Sequence, residues 1–388
     1  MTCVTPIKVN VMLIAASPVR RVALSLAIAL VFAACGPESV RFQPPPSSTP
    51  GAPATDAPSM SPSAAPTTDV NAACACWPLT GKPLEAGNAS RRPLVVKVDN
   101  VPVARPHYGI TQADIVVEEI VEGYVTRLAA IYQSNDPSAI GGVRSARLAD
   151  RSLTTMVRGA LVYSGTSDYA WSLISQDAAS GRYVELSADH SDGYYRVPFR
   201  IAPYNMFTTA QAQRDALARL NATTVSVPSW PFLAAGTHDT TTGGMVGAVP
   251  AVSLAIPYRE DTSAVRYDYD AATHTYARWQ NSNGKPVRDV DAANNTPVAA
   301  TNVVVIQTEI WEVDEIVDAS GAHAHDMRLT GSGRAIVFRD GLRQEATWSR
   351  KDDSVPFTFT SASGEQTKLD PGQTWVHIIP TEWVVSSK

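Results

Sequence analysis

LVVKVDN (94–100), ADIVVEEIVEG (113–123), YVTRLAAIYQS (124–134), SARLADRSLTTMVRG (145–159) and ALVYSGT (160–166) are the segments that decide the fold. The first is a short apolar run closed by polar residues, which predicts a buried strand. The second and third predict two more strands around Gly123. Residues 145–159 have helical periodicity, a serine start and a glycine stop, so a helix is expected with Ser145 as its cap. ALVYSGT is again a buried strand. DYAWSLISQD (168–177) predicts a short helix. NMFTTAQAQRDALARLN (205–221) predicts another, with a threonine cap and Asn221 at its end. Strands alternating with helices imply an α/β (α+β) layer domain over residues 77–235.

Beyond it the pattern changes. Residues 236–248 (GTHDTTTGGMVGA) form a Gly/Thr-rich linker, and 249–388 turn to β signals. AVRYDYDAATHTYARW is a pair of alternating runs, and TNVVVIQTEIWEV (301–313) reads as one long strand. GRAIVFRDGLRQEATWSR holds Asp340-Gly341 between two alternating runs, a strong hairpin signal. PFTFTSASGEQTKL and QTWVHIIP complete a smaller, mostly β C-terminal domain. No period of 20 to 50 residues repeats, which excludes a solenoid or propeller.

Upstream, Arg20 and Arg21 precede an uncharged run, VALSLAIALVFAA (22–34), that ends at Cys35. A positive start, a short apolar stretch and small residues at the cut describe a secretory signal over 1–34. The run is too short to cross roughly 30 Å of hydrocarbon as a helix. Phe32-Ala33-Ala34-Cys35 resembles the lipobox of bacterial lipoproteins, with Phe32 where leucine is preferred. That resemblance implies lipidation of Cys35 and cleavage before it, with two or more chains giving stable anchoring. Residues 35–76 are the lipidated cysteine and a Pro/Ser/Ala/Thr tether, which has too little apolar surface to fold and which proline keeps extended. Cys74 and Cys76 close the tether. In an oxidising compartment a local disulfide between them is expected, and a bridge between two chains is the alternative.

The composition of the 388 residues, 44% hydrophobic and 18% charged, is that of a globular protein. A net charge of −5 argues against nucleic acid as a partner. Of 32 basic residues only seven are lysine, an arginine bias that by itself says nothing about anion binding. The seven histidines are scattered, and neither GxSxG nor HExxH occurs, so no cofactor, no metal and no assigned catalytic residue are expected.

The N-terminal domain nevertheless carries charge inside apolar segments: Asp99, Asn100, Arg105, Asp114, Glu118, Glu122, Arg127, Arg144, Ser145 and Arg147. In an extended strand Glu118 and Glu122 share a face with Val116 and Ile120, and a carboxylate there must be paired or wet. Arg127, Arg144 and Arg147 are the expected partners, since the guanidinium fork binds carboxylates bidentately. Arg144 and Arg147 open a helix whose free N–H groups favour an anion. The cluster therefore reads either as a ligand cleft at strand ends, flanked by Asp99 and Glu118, or as an ion-pair network fastening loops to the sheet.

The run from RPLVVKVDN to AAIYQS, together with GGVRSAR, APYNMF, YDYDAATHTYAR, TNVVVIQT, GSGRAIVFRDG and LDPGQTWVHIIP, resembles the YerB-like lipoprotein family, domain of unknown function 3048. The resemblance covers about residues 78–382. It implies a two-domain, membrane-tethered, extracytoplasmic protein with no established reaction. It maps the family's polar positions onto those just named and draws in Asn205. Where the family has Pro-His-Asn and His-Xaa-Gly, this chain has Pro203-Tyr204-Asn205 and Tyr163-Ser164-Gly165, so acid–base or metal chemistry through those histidines is absent here.

Three readings follow. The first is a lipid-anchored protein that binds an anionic cell-wall or lipid ligand through an Arg/carboxylate cleft. The second is an envelope glycan or ester hydrolase or transferase using Asp99 and Glu118 as paired carboxylates. The third is a structural or assembly partner in the envelope.

Overall fold

The computed structural model describes residues 75–234, 245–318 and 320–388. The signal, Cys35, the tether, Cys74 and most of the 236–248 linker lie outside the described residues. Cys76 is disulfide-bonded. Among the described residues no helix is long and apolar enough to cross a membrane.

The N-terminal half supplies β1 (Leu94–Asp99), β2 (Ile115–Ile120), β3 (Thr126–Tyr132), β4 (Ile140–Gly141), α1 (Leu148–Met156), β5 (Ala160–Tyr163), α2 (Asp168–Ala179), β6 (Val184–Ser187), β7 (Tyr194–Arg196), β8 (Met206–Thr208) and α3 (Ala210–Arg219). β1 and β2 flank β3 antiparallel, while β1, β5 and β6 run parallel through the α1 and α2 crossovers. β4, β8 and β7 make a small separate sheet.

The C-terminal half begins with β9 (Val249–Pro250), β10 (Ser253–Ile256), β11 (Val265–Asp270), β12 (Thr275–Ser282), β13 (Lys285–Arg288), β14 (Val290–Asp291), β15 (Thr296–Pro297) and β16 (Ala299–Ala300). It continues with β17 (Asn302–Thr308), β18 (Ile310–Val317), β19 (His323–Met327), β20 (Gly331–Arg339), β21 (Leu342–Arg350), β22 (Thr358–Ser361), β23 (Thr374–Pro380) and β24 (Ser386–Ser387). The N-terminal half is thus mixed α/β and the C-terminal half mostly β, as the patterning predicts.

The two halves meet inside one sheet. Its order is β22-β21-β20-β17-β23-β2-β3-β1-β5-β6, with β9 on β21. β23, the strand that contains TWVHIIP, lies parallel between β17 and β2. Both faces of this sheet are covered, which is why its strands are apolar almost without interruption. Val95, Val117, Leu161 and Val304 face a layer that contains α1 and α2. Val96, Val98, Val116 and Val305 face α3 and a second sheet, β13-β12-β11-β10-β24 with β16 on β12. The β18–β19 hairpin lies over the helices, with Val313, Ile316 and Ala324 against Leu148 and Ala170.

Several expectations shift in detail. The 205–221 helix starts later: Met206–Thr208 pairs with β4 and β7, and α3 begins after Thr209, whose hydroxyl accepts from the Ala212 N–H. Asn221 does follow the helix in a left-handed conformation, at φ 52°. The single strand expected at 301–313 is two, β17 in the main sheet and β18 in the hairpin. An unbroken apolar run hides a change of sheet. Ser145 does not cap α1, because the helix starts at Leu148 and the Asp150 carboxylate accepts from the Arg147 N–H at 2.6 Å. The Asp340-Gly341 hairpin is as read, with φ of 51° and 71°, the positive pair that its twist requires.

Because β23 fills the middle of the sheet, β2 is an interior strand only when the C-terminal half is present. Residues 75–388 should therefore unfold in one transition by both calorimetry and circular dichroism. A fragment of residues 75–234 should show none, since it ends its sheet on the bare apolar edge of β2. An independent sigmoidal transition of that fragment would contradict the shared-sheet account.

Candidate functional site

The register fixes which charged residues meet. Asp99, Arg127 and Glu119 stand side by side across β1, β3 and β2, on the face that carries α1. Glu118 lies one residue away and so on the opposite face. The strand also ends at Ile120, and Glu122 sits in a 3-10 turn, so Glu118 and Glu122 do not share a face. Hence Asp99 and Glu118 do not flank a common opening, and the paired-carboxylate geometry is not formed by these two residues.

On the α1 face three layers of charge are stacked. The deepest is Lys97, whose ammonium bonds Glu119 and reaches Asp150 at 2.9 Å, all three side chains having no exposed surface. One cation cannot balance two buried carboxylates. Burial pushes the Glu119 carboxyl up to about 7, Lys97 opposes the rise, and the neighbouring Asp150 adds to it. Above it, Glu122 takes a bidentate grip from Arg147 at 2.5 and 2.7 Å, with Arg127 at 4.0 Å. Burial works to raise the Glu122 carboxyl, but Arg147 and Arg127 bring it below its ordinary value. Arg127 also donates to the Ser145 carbonyl at 3.0 Å, and burial together with Arg147 lowers it to about 10.

At the rim, Arg144 Nε donates to Asp99 Oδ2 at 2.8 Å and its guanidinium lies 5.9 Å from the centre of the Tyr204 ring. The backbone of residue 144 bridges the ends of two parallel strands: its N–H donates to the Lys97 carbonyl and its carbonyl accepts from Ser164. The chain leaves β1 towards the second sheet, where Arg105 donates to the Thr262 and Asn281 carbonyls at 2.6 and 2.8 Å. It leaves β5 into α2, on the other face. Arg144 and Ser145 therefore stand where two neighbouring parallel strands send their connections to opposite faces, the usual ligand position of open α/β sheets.

On the second-sheet face, Glu118 and Arg278 of β12 are fully buried and bonded at 2.7 Å. Glu118 also accepts from Asn100 at 3.0 Å and Thr126 at 2.8 Å. Arg278 pairs with Asp289 and lies 4.3 Å from the Trp375 ring centre. His377 on β23 is 3.5 Å from Glu118 and is bonded to Tyr258 and Tyr267. Burial and the nearby Arg278 hold its pKa well below the ordinary value, so the ring is neutral. Asp114 stands apart at the other end of the sheet, where it accepts from Gln133 and Ser134 and pins the end of β3. Asn205 accepts from Arg196 at 2.7 Å in the loop that follows β7.

The sequence-predicted residues thus separate into a rim (Asp99, Arg144, Ser145), an ion-pair layer (Glu122, Arg127, Arg147), a closed core network (Asn100, Glu118) and three loop fasteners (Arg105, Asp114, Asn205). Arg278, Lys97, Asp150 and His377 were missed. A lysine inside LVVKVD and an arginine at the buried phase of TYARWQ were the available signals. Among the described residues no group of three His, Cys, Asp or Glu side chains is placed to hold a metal ion.

Comparison with known proteins agrees with this organisation. The family described as Protein of unknown function (DUF3048), N-terminal domain, matches residues 79–223, and its C-terminal domain matches 254–376. A curated relative, named putative lipoprotein YerB, from Bacillus subtilis (strain 168), is 29% identical over 305 residues, covering 78% of this chain and 86% of the relative. The crystal structure of the YerB protein from Bacillus subtilis superposes with a TM-score of 0.65 at 26% identity, covering 80% of this chain and 99% of that one.

Two expectations test the charge layers. Arg278→Met leaves Glu118 buried without its cation and should cost about 3–5 kcal/mol. Adding Glu118→Gln should restore part of that in a denaturation cycle, and simple additivity would show that the pair is not coupled. Separately, Glu119 carries its raised pKa only in the folded state, above the ordinary 4.5. Its contribution is therefore complete below about pH 4.5 and lost as pH rises through about 7. Asp370, also pushed up to about 7 by burial and by its bond with Asp340, adds a slope of the same sign. Glu119→Gln, which mimics the protonated form, should match the wild type in thermal denaturation near pH 5 and exceed it near pH 8. An equal difference at both values would refute the assignment.

Proposed function

This chain belongs to the DUF3048 family, and from that membership we propose that it is a lipid-anchored, extracytoplasmic binding protein that recognises an anionic envelope ligand at the Arg144 rim. The observation that carries this reading is the state of the Arg144 guanidinium. Asp99 holds it through Nε alone, and its two terminal nitrogens have no hydrogen-bond partner among the described residues. Arg147 by contrast spends both ends of its fork on Glu122. An arginine side chain 26% exposed and held through its inner nitrogen presents its outer edge in a fixed direction, the geometry suited to a carboxylate or phosphate. The Ser145 hydroxyl and the Ser164-Gly165 turn border the same position, and Gly165 lies open enough that a Cβ there would meet only Ser145 Oγ, at 3.7 Å.

The ligand belongs at the rim rather than at the helix start. The N–H of Arg147, which caps α1, already donates to the Asp150 carboxylate, so the helix start carries a negative charge of the protein's own. The lipid anchor expected at Cys35, and the lipoprotein name borne by the Bacillus relative, support candidate ligands of the envelope: anionic wall polymers, wall peptides and lipid head groups.

The test uses the mature chain with Cys35→Ser, which keeps the tether and removes the lipid. Purified wall fractions and anionic lipid head groups should be retained by this protein. Arg144→Ala should weaken retention by about 10- to 100-fold, the equivalent of one charged hydrogen-bond pair. Its melting temperature should stay close to the wild-type value. Retention that survives Arg144→Ala, or a large fall in melting temperature with it, would return Arg144 to a purely structural role.

A further inference from the structure

Beyond that rim, we propose that the body docks on an anionic bilayer surface through an apolar lip formed by the loop between β7 and β8 and by the turn after β1. Phe199 is 61% exposed, Ile201 69%, Val103 51% and Tyr195 41%. These are large apolar side chains left in water on two short segments. The two segments are joined: Arg200 donates to the Ala104 carbonyl at 2.8 Å and to the Pro106 carbonyl. The exposure is held by the fold. The Phe199 ring packs 5.9 Å from Tyr108 and 6.0 Å from Phe207, and the loop backbone is closed by bonds from Val197 N–H to the Asn205 carbonyl and from Tyr204 N–H to the Ile201 carbonyl, each 2.9 Å.

Charge names the occupant. The segment YYRVPFRIAPYNMFT (194–208) contains two arginines and no acidic residue, and VPVARPHYGITQA (101–113) contains one arginine and none. Arg196 donates to an amide oxygen and Arg200 to carbonyls, so neither charge is neutralised by a carboxylate bond. Of the acids that flank the two segments, Asp99 is bonded to Arg144 and Asp114 to Gln133 and Ser134, while exposed Asp192 lies two residues before Tyr194. Exposed phenylalanine and isoleucine tips ringed by unneutralised arginine match an interface with anionic head groups, where apolar tips enter the acyl boundary and the cations stay at the phosphates. A body tethered by its own lipid meets such a surface at high effective concentration, so a weak contact suffices to orient it.

The experiment is vesicle sedimentation of the mature chain carrying Cys35→Ser, with phosphatidylglycerol/phosphatidylcholine vesicles against phosphatidylcholine alone. The wild type should sediment with the anionic vesicles and release as salt is raised. Phe199→Ser with Ile201→Ser should lower binding by about tenfold. Ile201→Ser alone, at a residue that is mostly in water, guards against a folding defect and should lower it less. Arg196→Gln should reduce the preference for anionic vesicles. Phe199→Ser with Ile201→Ser should keep the retention of wall fractions, which keeps this surface separable from the ligand rim. A wild type that ignores anionic vesicles, or apolar variants that bind as well as it does, would overturn the proposal. So would a concentration-dependent dimer, broken by the same variants, in a protein that does not sediment with vesicles.

Discussion

The ion pair between Glu118 and Arg278 is the constraint on which the rest of the structure depends. It joins β2 of the N-terminal half to β12 of the C-terminal half with no exposed surface on either side chain. Two buried charges are costly to desolvate, and the attraction between them compensates only if the remaining donors and acceptors are satisfied. Here most are engaged from both halves, Asn100 and Thr126 on the carboxylate and Asp289 and the Trp375 ring on the guanidinium, with Arg278 Nε left without a hydrogen bond. Misplacing either half by one register step would strand a charge in the core. The pair therefore argues less for raw stability than for a single way of closing the sheet around β23.

The same alternation that sends Glu118 inward sends Glu119 to the other face. Two adjacent glutamates thus serve two separate networks, one that binds the halves together and one that seats α1 on the sheet through Lys97 and Asp150. Charge in this protein is graded by depth. The inner layers are closed by their own ion pairs, although Glu119 Oε2, Arg147 Nε and Arg278 Nε are buried without a hydrogen bond. At the strand ends the partly exposed Arg144 keeps two terminal nitrogens with no partner among the described residues. The closed network and the proposed binding edge lie at different heights of one cluster, and the functional proposal rests on the outermost layer alone.

Much of this was legible in the sequence because local signals agreed with the tertiary outcome. The strands around Gly123, the Asp340-Gly341 hairpin and the Thr209 cap each carry their own chemistry, and the long family motifs carried the two-half organisation. What failed did so where a local pattern cannot see its neighbour. The bidentate chemistry of arginine makes Arg127, Arg144 and Arg147 the expected partners of Glu118, whereas the arginine that binds it, Arg278, is 160 residues away. Glu122 was given a strand face that the 3-10 turn at Glu122–Tyr124 ends. TNVVVIQTEIWEV has no residue that marks a change of sheet. Arg278 was readable in principle, since Tyr276, Arg278 and Gln280 occupy the buried phase of their strand, and a buried arginine demands a distant carboxylate.

The placement of the two outward-facing features bears on how an anchored body of this kind works. Tyr204 links them: its ring lies beneath the Arg144 guanidinium, and its N–H closes the loop that displays Ile201 and Phe199. A ring at that position can stack on the guanidinium and orient it. A rim of this composition is suited to holding a ligand, and the proposed lip is joined to it by one short loop, so the two proposed contacts share one support.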